Sequence, residues 1–595
     1  MKAAARALRI GGASAFWGDS GIGVEQLLES GECDVLVFDY LAELTLSLMA
    51  RARVKDAEAG YATDFVSDLA PHLKRVAARR VKLLSNAGGM NPQACARALR
   101  AAASAAGVEL RIAVVEGDDL RAQEPTLREA GVREMFSGLP LPERMTSLNA
   151  YLGAQPIAAA LAQGADVVIT GRCVDSALAL GALVHHFGWG FTDYDRLSAG
   201  SLVGHLLECT TQTTGGLFTD WLGVDDTREI GYPIAVCEAD GSFVLTKPAG
   251  TGGQVAPLVA AEQMLYEIAD PARYMLPDVC CDFTGVTLVA DGPDRVLFRG
   301  ARGRAPSDSY KVSATWHDGW RVSSTLTIVG DDAVRKAERV GRQILARARR
   351  MFAARGMADF AETRIEVLGS ERPSYGEGAR AVDSREVVLR VACSHASQAA
   401  LSLLAREFAP FGTAGSPGTT GFSGRPKVQP VFRMFAFLWP KSKVPVHLAI
   451  DGIGQLPVET TAAPASVHEL PAGARHAHAS VPAGARKRLP LHRLAVARSG
   501  DKGDTVNIAV IAREPRFVPA IAEQLSAGRV GEYFAHLVRG EVARYDVPGV
   551  HAFNFVLQQA LAGGGAASLR NDPLGKTFAQ ALLGCEIEVP ADWSC

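Results

Sequence analysis

Four short stretches in the first third of the chain end in residue types that move protons or hold oxyanions. They read "FDYLAE" (Asp39, Tyr40, Glu43), "SNAGGMN" (Asn86, Gly88, Gly89, Asn91), "EGDD" (Glu116, Asp118, Asp119) and "TGRCVDS" (Arg172, Asp175). Each follows a run rich in Val, Ile or Leu, and ligands of open parallel sheets bind beyond the carboxyl ends of such strands. Asp39, Glu43, Glu116, Asp118, Asp119 and Asp175 are the acid and base candidates, because neighbouring carboxyls in a buried site separate their proton affinities. Asn86, with the amides of Gly88 and Gly89, could steady an oxyanion. Arg172 offers a bidentate grip on a carboxylate or phosphate. Taken singly, each residue also suits a helix cap or a turn; taken together, they suggest one crevice.

The opening segment "RIGGASAFWGDSGIG" raises the question of a phosphate cradle. Its glycines fall at 11, 12, 18, 21 and 23, which is not the dinucleotide spacing, and no lysine follows as a P-loop requires. Gly11, Gly12, Ser14, Trp17, Asp19 and Ser20 remain candidates for an anion site at the next helix's N-terminus, or for a tight turn with a cap. Further glycine-rich segments are "KPAGTGGQ" (247–254, with Gly252 and Gly253) and 411–427, read as lids, phosphate loops or plain connections. "HLLECTTQTTGG" (205–216) sets His205, Glu208 and Cys209 either near the crevice or in a core helix with its C-terminal cap. "ARSGDKGDTVNI" (497–508) places Arg498, Ser499, Asp501 and Lys502 around two glycines, as an anion nest or a charged hairpin turn. His185-His186, Cys280-Cys281, His476 and His478 lack zinc-type spacing. Acidic strand ends leave Mg²⁺ open, since that ion uses few protein ligands.

The elements that must position these residues alternate. Strand-like runs at 33–40, 80–89, 110–119 and 164–172, with a weaker one at "ALRI", are separated by helical patterns, and Pro92 suits a first helical turn. Such alternation predicts a mainly parallel open sheet covered on both faces. Beyond a possible sub-boundary near residue 200, strands with turns and a long helical pattern at 331–356 predict an α+β continuation. The α/β unit is expected over 1–455, a Pro-, Ala- and Gly-rich linker over 456–487, and a small C-terminal α/β domain over 488–595.

Bulk properties exclude several classes. The 595 residues carry a net charge of −2, with 48% apolar and 21% charged residues, so no electrostatic case exists for nucleic acid or anionic lipid. No apolar run reaches the roughly 18 residues of a membrane span. Strand and loop begin almost at once after "MKAAARALRI", leaving no room for a removable signal. The ten cysteines contain no CxxC and suggest reduced thiols in the cytoplasm.

The ordered set "GASAFWGDS", "DYLAELTLS", "RARVKDAEAGYATDFV", "NAGGMNP", "VVEGDDL", "LNAYLGAQPIAAAL", "DVVITGRCVDSALAL", "HLLECTTQTTGG" and "KPAGTGG" resembles the acyclic terpene utilisation family of AtuA-type proteins, over about residues 8–455. The tail with "ARSGDKGDTVNIAVIAR" is similar to the small ferredoxin-like domain that often follows in that family. The resemblance implies a place in branched acyl-CoA catabolism and a lyase or hydratase step. Coenzyme A would enter as part of the substrate, its phosphates near the opening loop or Arg498 and Lys502, with no other cofactor evident. Arg172 would then hold a distal carboxylate of a glutaryl- or glutaconyl-type substrate. A non-catalytic binding or assembly subunit of the same pathway is the alternative; a homo-oligomer and contact with other pathway enzymes are expected as partners.

Overall fold

The computed structural model describes residues 6–421, 424–460, 478, 480–482, 484–565 and 567–594, and of Glu43 the backbone alone. The first strand-like run is longer than the sequence suggested. β1 spans Leu8–Ser14, so Gly11 and Gly12 lie inside a strand rather than in a loop. β2 (Val35–Phe38), β3 (Lys82–Ser85), β4 (Ile112–Glu116) and β6 (Val167–Thr170) pair with it in parallel, in the order β1-β2-β3-β6-β4. β5 (Ser147–Ala150) leaves this sheet for a second one. The four residues of β2 and of β6 are all buried, as both faces of a covered parallel sheet require.

Antiparallel strands extend the parallel centre at both edges. β7 (Ile234–Cys237) and β8 (Phe243–Thr246) add beside β1, and Val446–Ile450 adds beside β4. The completed sheet is mixed and has eleven strands. Residue 200 lies within the helix Tyr194–Glu208, in which every residue from Leu197 to Leu207 is buried. A helix buried on all sides needs no amphipathic stripe. Its close approach to the sheet depends on glycine: a Cβ at Gly12 would stand 2.6 Å from the Leu207 carbonyl oxygen. The second sheet is built on one 21-residue strand, Ser309–Val329, and is covered by the helix Ala333–Ala353.

The C-terminal region is a four-stranded antiparallel sheet in the order Ala495–Lys502, Thr505–Ala512, Ala552–Leu557, Val542–Val547. Side chains alternate between its faces. Val506, Ile508 and Val510 enter the small domain's own core, while Val496, Ala509 and Ile511 join the core of the large sheet. Two asparagines lie in the seam. Asn507 Nδ2 donates to Leu265 O at 2.7 Å, and Asn554 Nδ2 donates to Ile268 O at 2.8 Å and Ala269 O at 2.6 Å. Both asparagines are buried, as are Leu265 and Ile268, so two of these carbonyls lie where water cannot reach them. Asn554→Ala is expected to lower stability by about 2 kcal/mol, because it leaves the buried Ile268 carbonyl without this donor. Urea unfolding measures this, and an unchanged midpoint would contradict the role.

Candidate functional site

The carboxyl ends of β2 and β6 meet the C-terminus of the helix Tyr194–Glu208. There Asp39, Asp175 and Glu208 bring one carboxyl oxygen each within 4.8 Å of the others. Asp39 is 7% exposed. Its Oδ1 accepts from Asn86 Nδ2 at 2.7 Å and from the Leu41 amide at 3.1 Å. Asn86 Oδ1 in turn accepts from the Tyr40 amide at 2.8 Å, so this asparagine positions Asp39 and is not an unengaged oxyanion donor. Arg172 Nη1 lies 2.6 Å from both Asp175 Oδ1 and Cys173 O, and its guanidinium stacks 4.1 Å over the Tyr151 ring. These contacts make Arg172 the counter-ion of Asp175, where the sequence suggested a grip on substrate.

Glu208 faces His205 one helical turn earlier, with Oε1 and Nδ1 3.1 Å apart. The other ring nitrogen, Nε2, sits 3.1 Å from the Gln263 carbonyl oxygen. A carbonyl only accepts, so Nε2 carries a hydrogen and Nδ1 is left to share a proton with Glu208.

Burial and repulsion act together on the acids. Burial, followed by the charge of Asp175, pushes the Asp39 carboxyl up to about 8, against the pull of Arg172 and Asn86. Burial and Asp175 likewise push Glu208 up to about 7, against His205. The cluster opens in one direction: side-chain exposure rises from 12% at Glu208 to 22% at Asp175 and 48% at Lys502, which reaches in from the C-terminal domain. The spacing of the three acids would also admit one divalent cation, and Arg172 already brings positive charge to Asp175.

Other candidates from the sequence are placed elsewhere. Asp118 is buried behind the β6 turn, where Oδ2 accepts from the Arg172 amide at 2.7 Å and from Asn149 Nδ2 at 2.8 Å; burial raises it to about 7. A Cβ at Gly171 would stand 2.3 Å from Asp118 Oδ1, so this acid is a packed anchor for the turn that carries Arg172. Asp119 pairs with Arg121 at 2.6 Å, and Glu116 accepts from Gln93 at 3.0 Å. Glu43 begins a helix; its side chain lies outside the described residues. Gly88 and Gly89 form the turn after β3, where Gly89 N donates to Asn86 O. Asn91 caps the helix Pro92–Ala105 and donates to Ala57 O and Ala59 O.

The phosphate-loop expectations fare differently from the acids. Gly11 and Gly12 are paired within β1 between β2 and β7, which leaves no amide nest there. Ser14 Oγ bonds Phe16 O; Asp19 accepts from the Ala15 and Ser20 amides; Ser20 Oγ accepts from Ile22 N; and Trp17 packs on the core of the opposite sheet face. Gly252 and Gly253 donate to Glu229 O and Asp225 O, both at 2.7 Å, so their amides close a loop instead of cradling an anion. Arg498, Ser499, Asp501 and Lys502 lie on a hairpin strand, not in a nest. His478 pairs with Asp546 at 3.0 Å, and His476 lies outside the described residues. The described cysteines, Cys280 and Cys281 included, are free.

Two surface recesses lie away from the acids. One, of about 280 Å³, is lined by Asp195, Asp240, Arg299 and Arg302. The other, of about 490 Å³, lies beside Arg9, Lys247 and Arg295, with Lys247 already paired to Asp294. Neither contains a member of the carboxyl cluster. Among the described residues, no helix is long and apolar enough to cross a membrane.

An open α/β sheet with its acids at the strand ends, closed by a small antiparallel domain, is the class of protein this geometry defines. Residues 8–450 match the model of the acyclic terpene utilisation family protein AtuA, and residues 489–588 match that of the AtuA ferredoxin-like domain. The chain belongs to the AtuA family and ends in that family's ferredoxin-like domain, which ties it to acyclic terpene utilisation. No curated protein and no solved structure matches it.

The raised carboxyls make stability depend on pH. The folded state retains the Asp39 proton, which the unfolded chain releases above the ordinary carboxylate range. This contribution to stability is therefore full at about pH 4 and below, and lost as pH rises through about 8. One fully retained proton corresponds to a slope of about 1.4 kcal/mol per pH unit. Asp39→Asn keeps an oxygen for Asn86 and Leu41, and should flatten the fall in melting temperature over that range. A variant curve parallel to wild type would contradict the assignment.

Proposed function

We propose that this chain is an enzyme of acyclic terpene catabolism that adds or removes water, or cleaves as a lyase, at a branched acyl-CoA thioester in the cytoplasm. The observation that carries the reading is the cluster of Asp39, Asp175 and Glu208, with carboxyl oxygens within 4.8 Å of one another and Arg172 paired to Asp175, in which burial raises Asp39 and Glu208. Efficient acid–base catalysts have proton affinities near the working pH. In hydration of an enoyl thioester, Glu208 takes a proton from water, with His205 Nδ1 sharing it, as oxygen bonds to the β-carbon. The electron pair moves onto the thioester enolate, and the Asp39 proton is delivered to the α-carbon. Elimination is the reverse. Coenzyme A is part of the substrate, and these steps require no redox carrier.

Incubation of the protein with branched hydroxyacyl- and enoyl-CoA thioesters, followed by mass spectrometry, tests this. The expected result is a mass change of one water, or release of acetate for a lyase, with turnover lowered on the order of 100- to 10,000-fold in Asp39→Asn and Glu208→Gln. Conversion unaffected by both variants would move the chemistry elsewhere. No conversion of any thioester would contradict the enzymatic reading.

A further inference from the structure

The strand Ala495–Lys502 lays one face on the large domain. By alternation that face carries Val496, Arg498, Gly500 and Lys502. Val496 enters the large core. Arg498 donates to Gly216 O and Leu217 O at 3.4 and 3.2 Å, bonds Gln212, and stacks over Tyr266. Gln212, Gly216 and Leu217 belong to the segment that follows Glu208, and Tyr266 to the one that follows the helix Pro257–Met264. At Gly500 the chains are so close that a Cβ would stand 2.6 Å from both Tyr266 Cε2 and Glu267 Cγ. The next residue on this face, Lys502, therefore arrives at a fixed place. Its Nζ donates to Glu267 Oε2 at 2.9 Å, and from there its charge reaches Tyr274, Asp175 and Glu208 without direct contact.

Glu267 is clamped from both sides. Lys576, also of the C-terminal domain, reaches its other oxygen at 3.0 Å and bonds Asp501 at 3.0 Å and the Tyr266 hydroxyl. Burial alone would raise the Glu267 carboxyl, but the two ammonium groups hold it down at about 2. Cys209 lies within the field of Glu208, Glu267, Lys576 and Arg498. Glu267 uses one of the three Lys502 N–H donors, while about half of the Lys502 side chain remains exposed.

We propose that the C-terminal domain is part of the site, and that Lys502 is the positioning residue it delivers to Asp175 and Glu208. This rests on the reading of those carboxyls as the acid–base group. Lys502 then orders the open edge of the cluster and supplies the cation that keeps Glu208 usable as a base.

Two measurements on the full chain separate this inference from that reading. Zero-length carbodiimide coupling followed by peptide mass spectrometry should link Lys502 to Glu267, the carboxylate it pairs with across the domain seam. Absence of that link would overturn the placement whatever the activity. On the thioester that wild type converts best, Lys502→Met should lower kcat at least tenfold with KM changed less than threefold. Lys502→Arg, which retains the charge, should recover most of that loss. Wild-type kcat in Lys502→Met, or no recovery in Lys502→Arg, would overturn the role. A wild type that converts no thioester overturns the functional reading alone, and the cross-link still decides where Lys502 sits.

Discussion

The arrangement depends on a single electrostatic constraint, the cost of holding several carboxylates together where water is scarce. Asp39, Asp175 and Glu208 lie within 4.8 Å of one another, too close for all to ionise without compensation. The protein compensates unevenly. Arg172, stacked on Tyr151, is committed to Asp175, while Asp39 has a neutral amide from Asn86 and Glu208 a histidine. Such asymmetry separates the proton affinities of like groups.

Close packing is what maintains the asymmetry. Glu208 reaches the cluster because the helix Tyr194–Glu208 lies against β1, and that approach needs the bare backbone of Gly12. Arg172 is held by a turn whose amide is anchored on buried Asp118. The ferredoxin-like domain is then more than an appendage. Its sheet shares the large domain's core, and its buried asparagines satisfy the 265–269 backbone. A seam of that kind fixes orientation because each misplaced amide would leave a buried carbonyl unpaired.

The fold was largely legible in the sequence, since strand–helix alternation and covered apolar runs report directly on a parallel sheet. The antiparallel strands beside β1 and β4 were not, because they come from residues 234–246 and 446–458, far along the chain. At the site, Asp39, Asn86, Arg172 and Asp175 stood out as strand-end residues, yet sequence could not tell substrate contacts from partners of one another. Glu208 was the hardest to see. It ends a helix whose neighbours are buried apolar residues, and only its spacing from His205, three positions apart on one helix face, marks it. Arg498, Gly500 and Lys502 carried a two-residue alternation that identifies a strand face, where glycine content had suggested a nest. Gly11 and Gly12 misled for the same reason: close packing, like a phosphate loop, demands glycine.

The central claim is that Asp39 keeps its proton near neutral pH while its neighbour Asp175 is held by Arg172. Infrared difference spectroscopy of the carboxyl stretch, comparing wild type with Asp39→Asn across the range around pH 8, observes that proton directly. The wild type should show a protonated-carboxyl component that fades as pH rises through about 8 and is missing from the variant, while those of Glu208 and Asp118 fade near pH 7 in both. A wild-type spectrum at neutral pH with no protonated carboxyl band, or one identical to that of Asp39→Asn, would contradict it.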